Sequence, residues 1–349
     1  MRPEQWAAFK KAAKREPDAG TPVAAIVDSP WIPGYLGISH LEYYFDTDVW
    51  LDANLRIMRE FPDIIFLPSW WVEFGMAIEP SAFGDRVRFW PDRTPDQIAT
   101  LRSATDVDRL APVDAQTDGL MPAALQRYRS CKGRIFDAGY TIPMVAARGP
   151  LCVASFLRGV SEFMMDIVDE PDAVHKLLDL TTRCVIDWLS AQAEAIGDSV
   201  EGILVLDDIV GFLSLNAYRE FAHPYLKRIC DAFPSGWVKV YHNDANVRPF
   251  LSELPAAGFD VLNWSHKIPV KEAYEKTGGR VCLMGNVAPL EIGVRGTPEM
   301  VLEAASQVLD SGASSLILSV GGGVSPGMPA ENLRALARAA AARAASQMA

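Results

Sequence analysis

The stretch GILVLDD (202–208), then SLNAYREFAHPYLKRICDAF (214–233), then WVKVYHND (237–244) decides the fold class. Two short apolar runs, each ending in polar residues, flank a segment whose apolar positions recur at helical spacing. The pattern continues. DVLNWSH (260–266) leads into VKEAYEKTGG (270–279), and RVCLMGN (280–286) into TPEMVLEAASQVLDSGA (297–313). SLILSVGGG (315–323) leads into PAENLRALARAAAARAAS (329–346). Continuous apolar runs of four to six residues suit strands covered on both faces. Their alternation with helices implies parallel strands joined by right-handed crossovers. A barrel and a doubly wound sheet both satisfy that pattern. No GxGxxG follows the first strand candidate, which removes the usual reason to choose a dinucleotide-binding sheet.

The first half is less regular. TPVAAIVDSP (21–30), IIFLPSW (64–70), VRFW (87–90) and IPMVAARGP (142–150) are its strand candidates. The aromatic-rich WIPGYLGISHLEYYFDTDVWL (31–51) reads as an insertion covering one end of the barrel. PDAVHKLLDLTTRCVIDWLSAQAEAIG (171–197) reads as one long helix. With no internal repeat or linker, residues 1–349 are expected to form a single α/β domain, a (β/α)8 TIM barrel.

Composition narrows the partners. The 349 residues carry a formal net charge of −11, which repels phosphate backbones and anionic lipids. Nucleic acid and membranes are therefore not expected as partners, and a small-molecule substrate is. No apolar run approaches the roughly 18 residues a bilayer needs, and the charged N-terminus lacks a secretory pattern, so a cytoplasmic location is expected. The five cysteines are scattered without a CxxC pair, which argues against a disulfide framework and cysteine-rich zinc ribbons.

Nearly every apolar run ends in a polar group. Arg148 closes one, Asp207 and Asp208 the next; His242, Asn263 and Asn286 follow on three more, and Gly321–Gly323 on the last. In a barrel these positions converge on the C-terminal rim, where catalytic groups come from several strands. Each has a plain structural alternative. Asp207 and Asp208 could cap a helix, His242 could be a satisfied core histidine, and the asparagines and glycines could form turns. Their convergence is what points to a site. His40, His175 and His223 read as structural, and His266, which follows the Asn263 strand, is a weaker candidate for the site than His242.

Taken together, in order and spacing, these motifs resemble the uroporphyrinogen decarboxylase superfamily, which includes cobalamin-dependent methyltransferases. DDIVGFLSLNAYREFAHPYLKRI (207–229) resembles the family's acidic strand end before an F-R-E-F…P-Y-x-K-like helix. YHNDANVRPFLSELPAAGFDVLNW (241–264) resembles its H-x-C-G-N…G-x-D-x-L-N stretch. LMGNVAP (283–289) resembles G-N-(I/V)-x-P, GGGVSPGMPAENLRAL (321–336) the last-strand loop, and RGP (148–150) an earlier G-P. True decarboxylases of the family carry an arginine-rich N-terminal motif for the substrate's carboxylates; here DSPWIPGYLG (28–37) contains no arginine. FGMAIEPSAFG (74–84) resembles the methyltransferase branch's V-E-A-E-A-x-G, which aligns Glu79 with the first glutamate.

The resemblance implies a methyltransferase that moves a methyl group between a small donor, such as a methoxylated aromatic, and a corrinoid protein. It implies zinc at His242, with Asp244, Glu220 or Asp208 as oxygen ligands. Asp244 and Gly322 stand where thiol-methylating members have cysteines, so a soft thiolate site has become a harder, oxygen-rich one. Asp207, Asp208 and Arg148 are the implied catalytic groups, and Glu79, Asn263, Asn286 and Gly322 the substrate contacts. No D-x-H-x-x-G corrinoid signature occurs, so the cobalamin is expected on a separate corrinoid protein; a homodimer is compatible with all of this. The aromatics (Trp31, Tyr35, Tyr43, Tyr44, Trp50, with Trp70 and Trp71) either line a pocket for a planar substrate or pack. Two alternatives remain open at this stage: a metal-free lyase using Arg148 with Asp207 and Asp208, and a non-catalytic binding barrel.

Overall fold

A computed structural model describes residues 1–27 and 29–348, so position 28 of the expected opening strand lies outside the described residues. Eight parallel strands form the barrel. They are β1 (Ala24–Ile26) and β2 (Ile65–Leu67), then, past an outlying hairpin of β3 (Arg86–Arg88) and β4 (Asp96–Ile98), β5 (Met144–Arg148) and β6 (Gly202–Leu206). β7 (Val238–Asn243), β8 (Val261–Trp264), β9 (Cys282–Val287) and β10 (Leu316–Val320) complete it. β5 to β10 pair in sequence order, β1 pairs with β2, and parallel bridges Val23–Leu318 and Ile26–Gly323 join β1 to β10.

No ladder joins β2 to β5 among the described residues. The seam is tied by Met1, whose amino nitrogen donates to Ser69 Oγ at 2.9 Å and whose carbonyl accepts from Thr141 N–H at 2.8 Å.

The period-two alternation of the strands sorts their side chains. Met144, Ala146, Leu204, Leu206, Val238, Val240, Val261, Cys282, Met284 and Ile317 fill the barrel interior. Ile203, Val205, Tyr241, Leu262, Leu283 and Leu318 point outward into the layer shared with the helices. Continuing the inward register by two residues reaches Arg148 on β5, His242 on β7, Asn263 on β8 and Asn286 on β9. The polar strand ends of the sequence therefore sit directly above an apolar plug.

The N-terminal end of the barrel is closed by α1 (Pro3–Ala13). Its Trp6, Phe9, Ala12 and Ala13 join the interior cluster. Trp6 Nε1 donates to Glu201 Oε2 at 2.8 Å, Lys14 Nζ to Asp260 Oδ2 at 2.8 Å, and Ser315 Oγ to the Ala12 carbonyl at 3.3 Å. Those partners immediately precede β6, β8 and β10. The N-terminal end is thus covered, and the polar strand ends lie at the opposite, C-terminal end.

The aromatic segment forms the connection from β1 to β2, as helices Trp31–Leu36, His40–Phe45 and Thr47–Glu60. Its rings pack. Trp31 stacks on Tyr35 at 4.8 Å and donates from Nε1 to the Met328 carbonyl; Trp50 Nε1 donates to the Trp71 carbonyl. The cavity beside Tyr43, Trp70 and Trp71 measures about 20 Å3, room for a water molecule and not for a planar substrate. VRFW also departs from expectation. It falls on β3, which pairs antiparallel with β4 outside the barrel, because Arg86 and Arg88 are exposed and the run lacks a continuous apolar face. The expected long helix spans Pro171–Ile196, and its Gln192 Nε2 donates to the Ala146 carbonyl on β5. No helix among the described residues is long and apolar enough to cross a membrane.

Candidate active site

The sharp turn after β6 places the first acidic group. Its backbone is pinned by β7: Asp207 N–H donates to the His242 carbonyl, and Asn243 Nδ2 donates to the Asp207 carbonyl at 2.8 Å. Gly211 then packs against the loop after β7, where a Cβ would come within 2.4 Å of Ala245 Cβ. The two loops are thereby held together, and Asp244 N–H donates to Asp208 Oδ1 at 3.0 Å.

His242 stands at the centre of this rim. It is 5% exposed, with Nε2 3.5 Å from Asp208 Oδ1 and Nδ1 2.7 Å from Asn263 Oδ1. Asn263 is fully buried, and its Nδ2 donates to the carbonyls of Met284 and Val320. Among the described residues, Asp208, His242 and Asp244 each bring one donor atom to within 4.8 Å of the others. Burial first, and then the Asp208 charge, push the Asp244 carboxyl above its ordinary value. A bound cation would relieve that repulsion.

The donor chemistry fits a divalent metal. One imidazole nitrogen and two carboxylates supply two negative charges, and three protein ligands leave a fourth position for substrate or water. Bonds of about 2.0–2.1 Å in a tetrahedron put neighbouring donors about 3.3 Å apart, close to the observed 3.5 Å. Zinc would be held by His242, Asp208 and Asp244. Glu220 does not join them: its side chain is 59% exposed on the outer face of its helix, 3.8 Å from His175 Nε2.

Asp207 has a different setting. Its carboxylate, without exposure to solvent, accepts Leu151 N–H at 3.1 Å and Cys152 N–H at 2.7 Å, at the N-terminus of helix Pro150–Arg158. Unpaired helix N–H groups and the helix dipole favour a carboxyl there. Burial nevertheless raises it to about 7. Gly149 makes the approach feasible, because a Cβ there would lie 2.3 Å from Asp207 Oδ2. The glycine of RGP is thus explained by the aspartate of LDD.

A second polar group occupies the rim two strands from His242. Arg148, Leu206, His242 and Asn263 are successive register partners, which puts Arg148 roughly 10 Å from His242 at the usual strand spacing. Its Nη2 lies 3.3 Å from Glu73 Oε2, its guanidinium stacks over Trp71, and Glu73 also accepts Ser29 N–H. Glu79 accepts the Arg148 backbone N–H at 2.8 Å, on the β5 edge that faces the seam. Glu79 is buried, and desolvation raises it to about 7 against the pull of that amide.

Asn286 donates from Nδ2 to the Ile268 carbonyl, joining the ends of β8 and β9. Gly322 rests against the acidic pair: with φ at +143°, a Cβ there would be 3.0 Å from Asp244 Oδ2. Two residues lie here that sequence reasoning left unplaced or weak. Glu73 carried no signal, since it falls in a loop between aromatic residues. His266, whose Nε2 is 3.8 Å from Glu291 Oε2, is close enough to Asp244 to favour its ionised form. Its position just past a strand end was the available clue.

Comparison with known proteins fixes the kinship. The family model for uroporphyrinogen decarboxylase (URO-D) matches residues 9–343. The chain belongs to the uroporphyrinogen decarboxylase family. Among curated relatives, the uroporphyrinogen decarboxylase of Chloroherpeton thalassium is 26% identical over 94% of both chains. That of Chlorobaculum tepidum is 28% identical over 94% of this chain and 95% of its own. Among solved structures, a methyltransferase from Methanosarcina mazei superposes with a TM-score of 0.84 at 23% identity, covering 97% of this chain and 99% of its own. A B12-independent methionine synthase from Shewanella sp. W3-18-1 gives 0.63 at 13% identity, over 94% and 98%. At such identities the structural likeness establishes the fold alone. The TIM barrel expected from the strand pattern is therefore the family's own.

Proposed function

We propose that this family member is a methyltransferase that moves a methyl group between a small donor, such as a methoxylated aromatic, and a corrinoid protein. The observation that carries the reading is the group of Asp208, His242 and Asp244 at the C-terminal ends of the barrel strands. Zinc bound there would supply a Lewis acid for the oxygen that loses the methyl group. His242 Nε2 contributes a neutral donor, and the two aspartates contribute charge matched to a dication. Arg148 with Glu73 offers a polar, overall neutral edge across the mouth to orient the rest of a small ligand. The chain's likeness to the Methanosarcina mazei methyltransferase supports the assignment.

The names of the curated relatives favour decarboxylation, and the second reading is a lyase that works without metal. The mouth argues against a polycarboxylate substrate. It presents Asp208 and Asp244, and its buried cation Arg148 already faces Glu73. Carboxylates entering there would meet like charge.

Metal analysis of the purified protein beside His242→Ala tests the site. Near-stoichiometric zinc that is lost in the variant supports the methyltransferase. A wild-type protein that takes up no zinc on reconstitution turns the assignment to the lyase. Corrinoid dependence needs its own measurement, because one structural neighbour is named B12-independent. Methyl transfer to cob(I)alamin, free or carried by a corrinoid protein, supports the proposal; zinc-dependent turnover that ignores cobalamin overturns that part.

A further inference from the structure

The hydrogen bonds around Asn263 determine more than its own burial. Its Nδ2 donates to two carbonyls, Met284 O on β9 at 2.8 Å and Val320 O on β10 at 3.1 Å. The reversed amide would aim Oδ1 at both carbonyls, three acceptors facing one another with no proton between them. The orientation of the amide is therefore set by two neighbouring strands. Oδ1, an acceptor, is left to face His242 Nδ1 at 2.7 Å. A contact that short requires a proton on Nδ1.

The opposite ring nitrogen faces Asp208 Oδ1 at 3.5 Å, with Asp244 beside it. Two carboxylates attract a proton to Nε2. A histidine with Nε2–H has no lone pair there for a metal. The surroundings of His242 thus pull its neutral ring toward opposite tautomers, and the buried amide, held from two sides, is the partner at hydrogen-bond distance.

We infer that Asn263 is a positioning residue: it holds neutral His242 in the Nδ1–H tautomer, so that Nε2 keeps a free lone pair beside the carboxylates of Asp208 and Asp244. The role differs from the substrate contact implied by its sequence motif. Its consequence for zinc rests on the proposed metal site, whereas the tautomer itself does not. A neutral amide behind the imidazole also leaves the ligand set with two negative charges, where a carboxylate in that place would add a third and raise imidazole basicity.

The test is nitrogen-15 NMR of histidine-labelled, metal-free protein at alkaline pH, with His242→Ala identifying the His242 signals among the five histidines. The wild type is expected to show protonated Nδ1 and bare Nε2. Asn263→Ala is expected to shift the ring to Nε2–H and weaken zinc, measured by chelator competition, about 10- to 100-fold. A purely structural role would lower stability in Asn263→Ala without moving the tautomer. An Nε2–H tautomer in the wild type overturns the inference even if the alanine variant fails to fold, as does an unchanged tautomer in folded Asn263→Ala. If the wild type binds no zinc, the metal reading fails, while the tautomer still decides the role of Asn263.

Discussion

Asp207 and Asp208 adjoin in sequence and face different neighbourhoods: the first receives two helix amides from Leu151 and Cys152, the second lies 3.5 Å from His242 Nε2. The same residue type therefore does two jobs on one strand end. Asp207→Ala leaves two buried amide donors without their acceptor and should cost about 1–3 kcal/mol in urea unfolding, partly offset by removing a buried carboxyl. Zinc binding should survive in the folded fraction. Asp208→Ala should change stability by about 0.5 kcal/mol or less and lower zinc binding, because its side chain is 35% exposed and held by few contacts. Unfolding and metal titrations of the two variants, side by side, separate the roles.

Gly322 and Asp244 should prove coupled. The backbone of Gly322 lies at φ +143°, and a Cβ would press on Asp244 Oδ2. Gly322→Ala is expected to destabilise by about 1–2 kcal/mol. Part of that cost is the Asp244 contact, so the double variant with Asp244→Ala should be less destabilised than the sum of the single changes. Strict additivity in the cycle would mean that strain in the glycine backbone alone is responsible. The Asp244 carboxylate occupies the space beside residue 322, so any side chain there would have to displace it.

Glu79 predicts a pH dependence. Burial raises its carboxyl from 4.5 to about 7, opposed by the Arg148 amide. The folded state then keeps a proton that the unfolded chain releases between those values. Its contribution to stability is full below about 4.5 and is lost as pH rises through about 7. Glu79→Gln keeps an acceptor for the amide without the titration. It should raise the thermal midpoint at pH 8 by on the order of 2 °C and make no difference near pH 4. Calorimetry of the two proteins at both pH values checks this; a variant that is less stable than wild type at pH 8 would show that the ionised carboxylate is what the site needs.

The strand ends at 207–208, 242, 263 and 286 were legible because apolar runs closing in polar groups leave few other placements in a barrel. What the sequence could not display is which way each side chain turns. Nothing local separates Asp207 from Asp208; the difference comes from helix Pro150–Arg158, which starts some 57 residues earlier and supplies the amides. Glu220 was equally opaque. Its helix meets the barrel with Tyr218 and Phe221 buried, which commits Glu220 to the outer face. Glu73 escaped because a loop has no period from which to infer direction.

Arg148 and Glu73 form a buried charged pair beside the rim. The guanidinium and carboxylate are 8% and 5% exposed, 3.3 Å apart, with Trp71 beneath the arginine. Replacing Arg148 by Met strands a buried carboxylate, and losing one partner of such a pair typically costs about 3–5 kcal/mol. The Ser29 N–H that Glu73 also accepts offsets part of this. Arg148→Met with Glu73→Gln should restore much of the stability, since the desolvated charge is then gone from both sides. Zinc affinity should be unchanged in the double variant, because the pair sits two strands from His242. If the pair orients the ligand, the restored double variant will still turn over poorly, with a raised KM; wild-type turnover in that protein would assign Arg148 and Glu73 to stability alone.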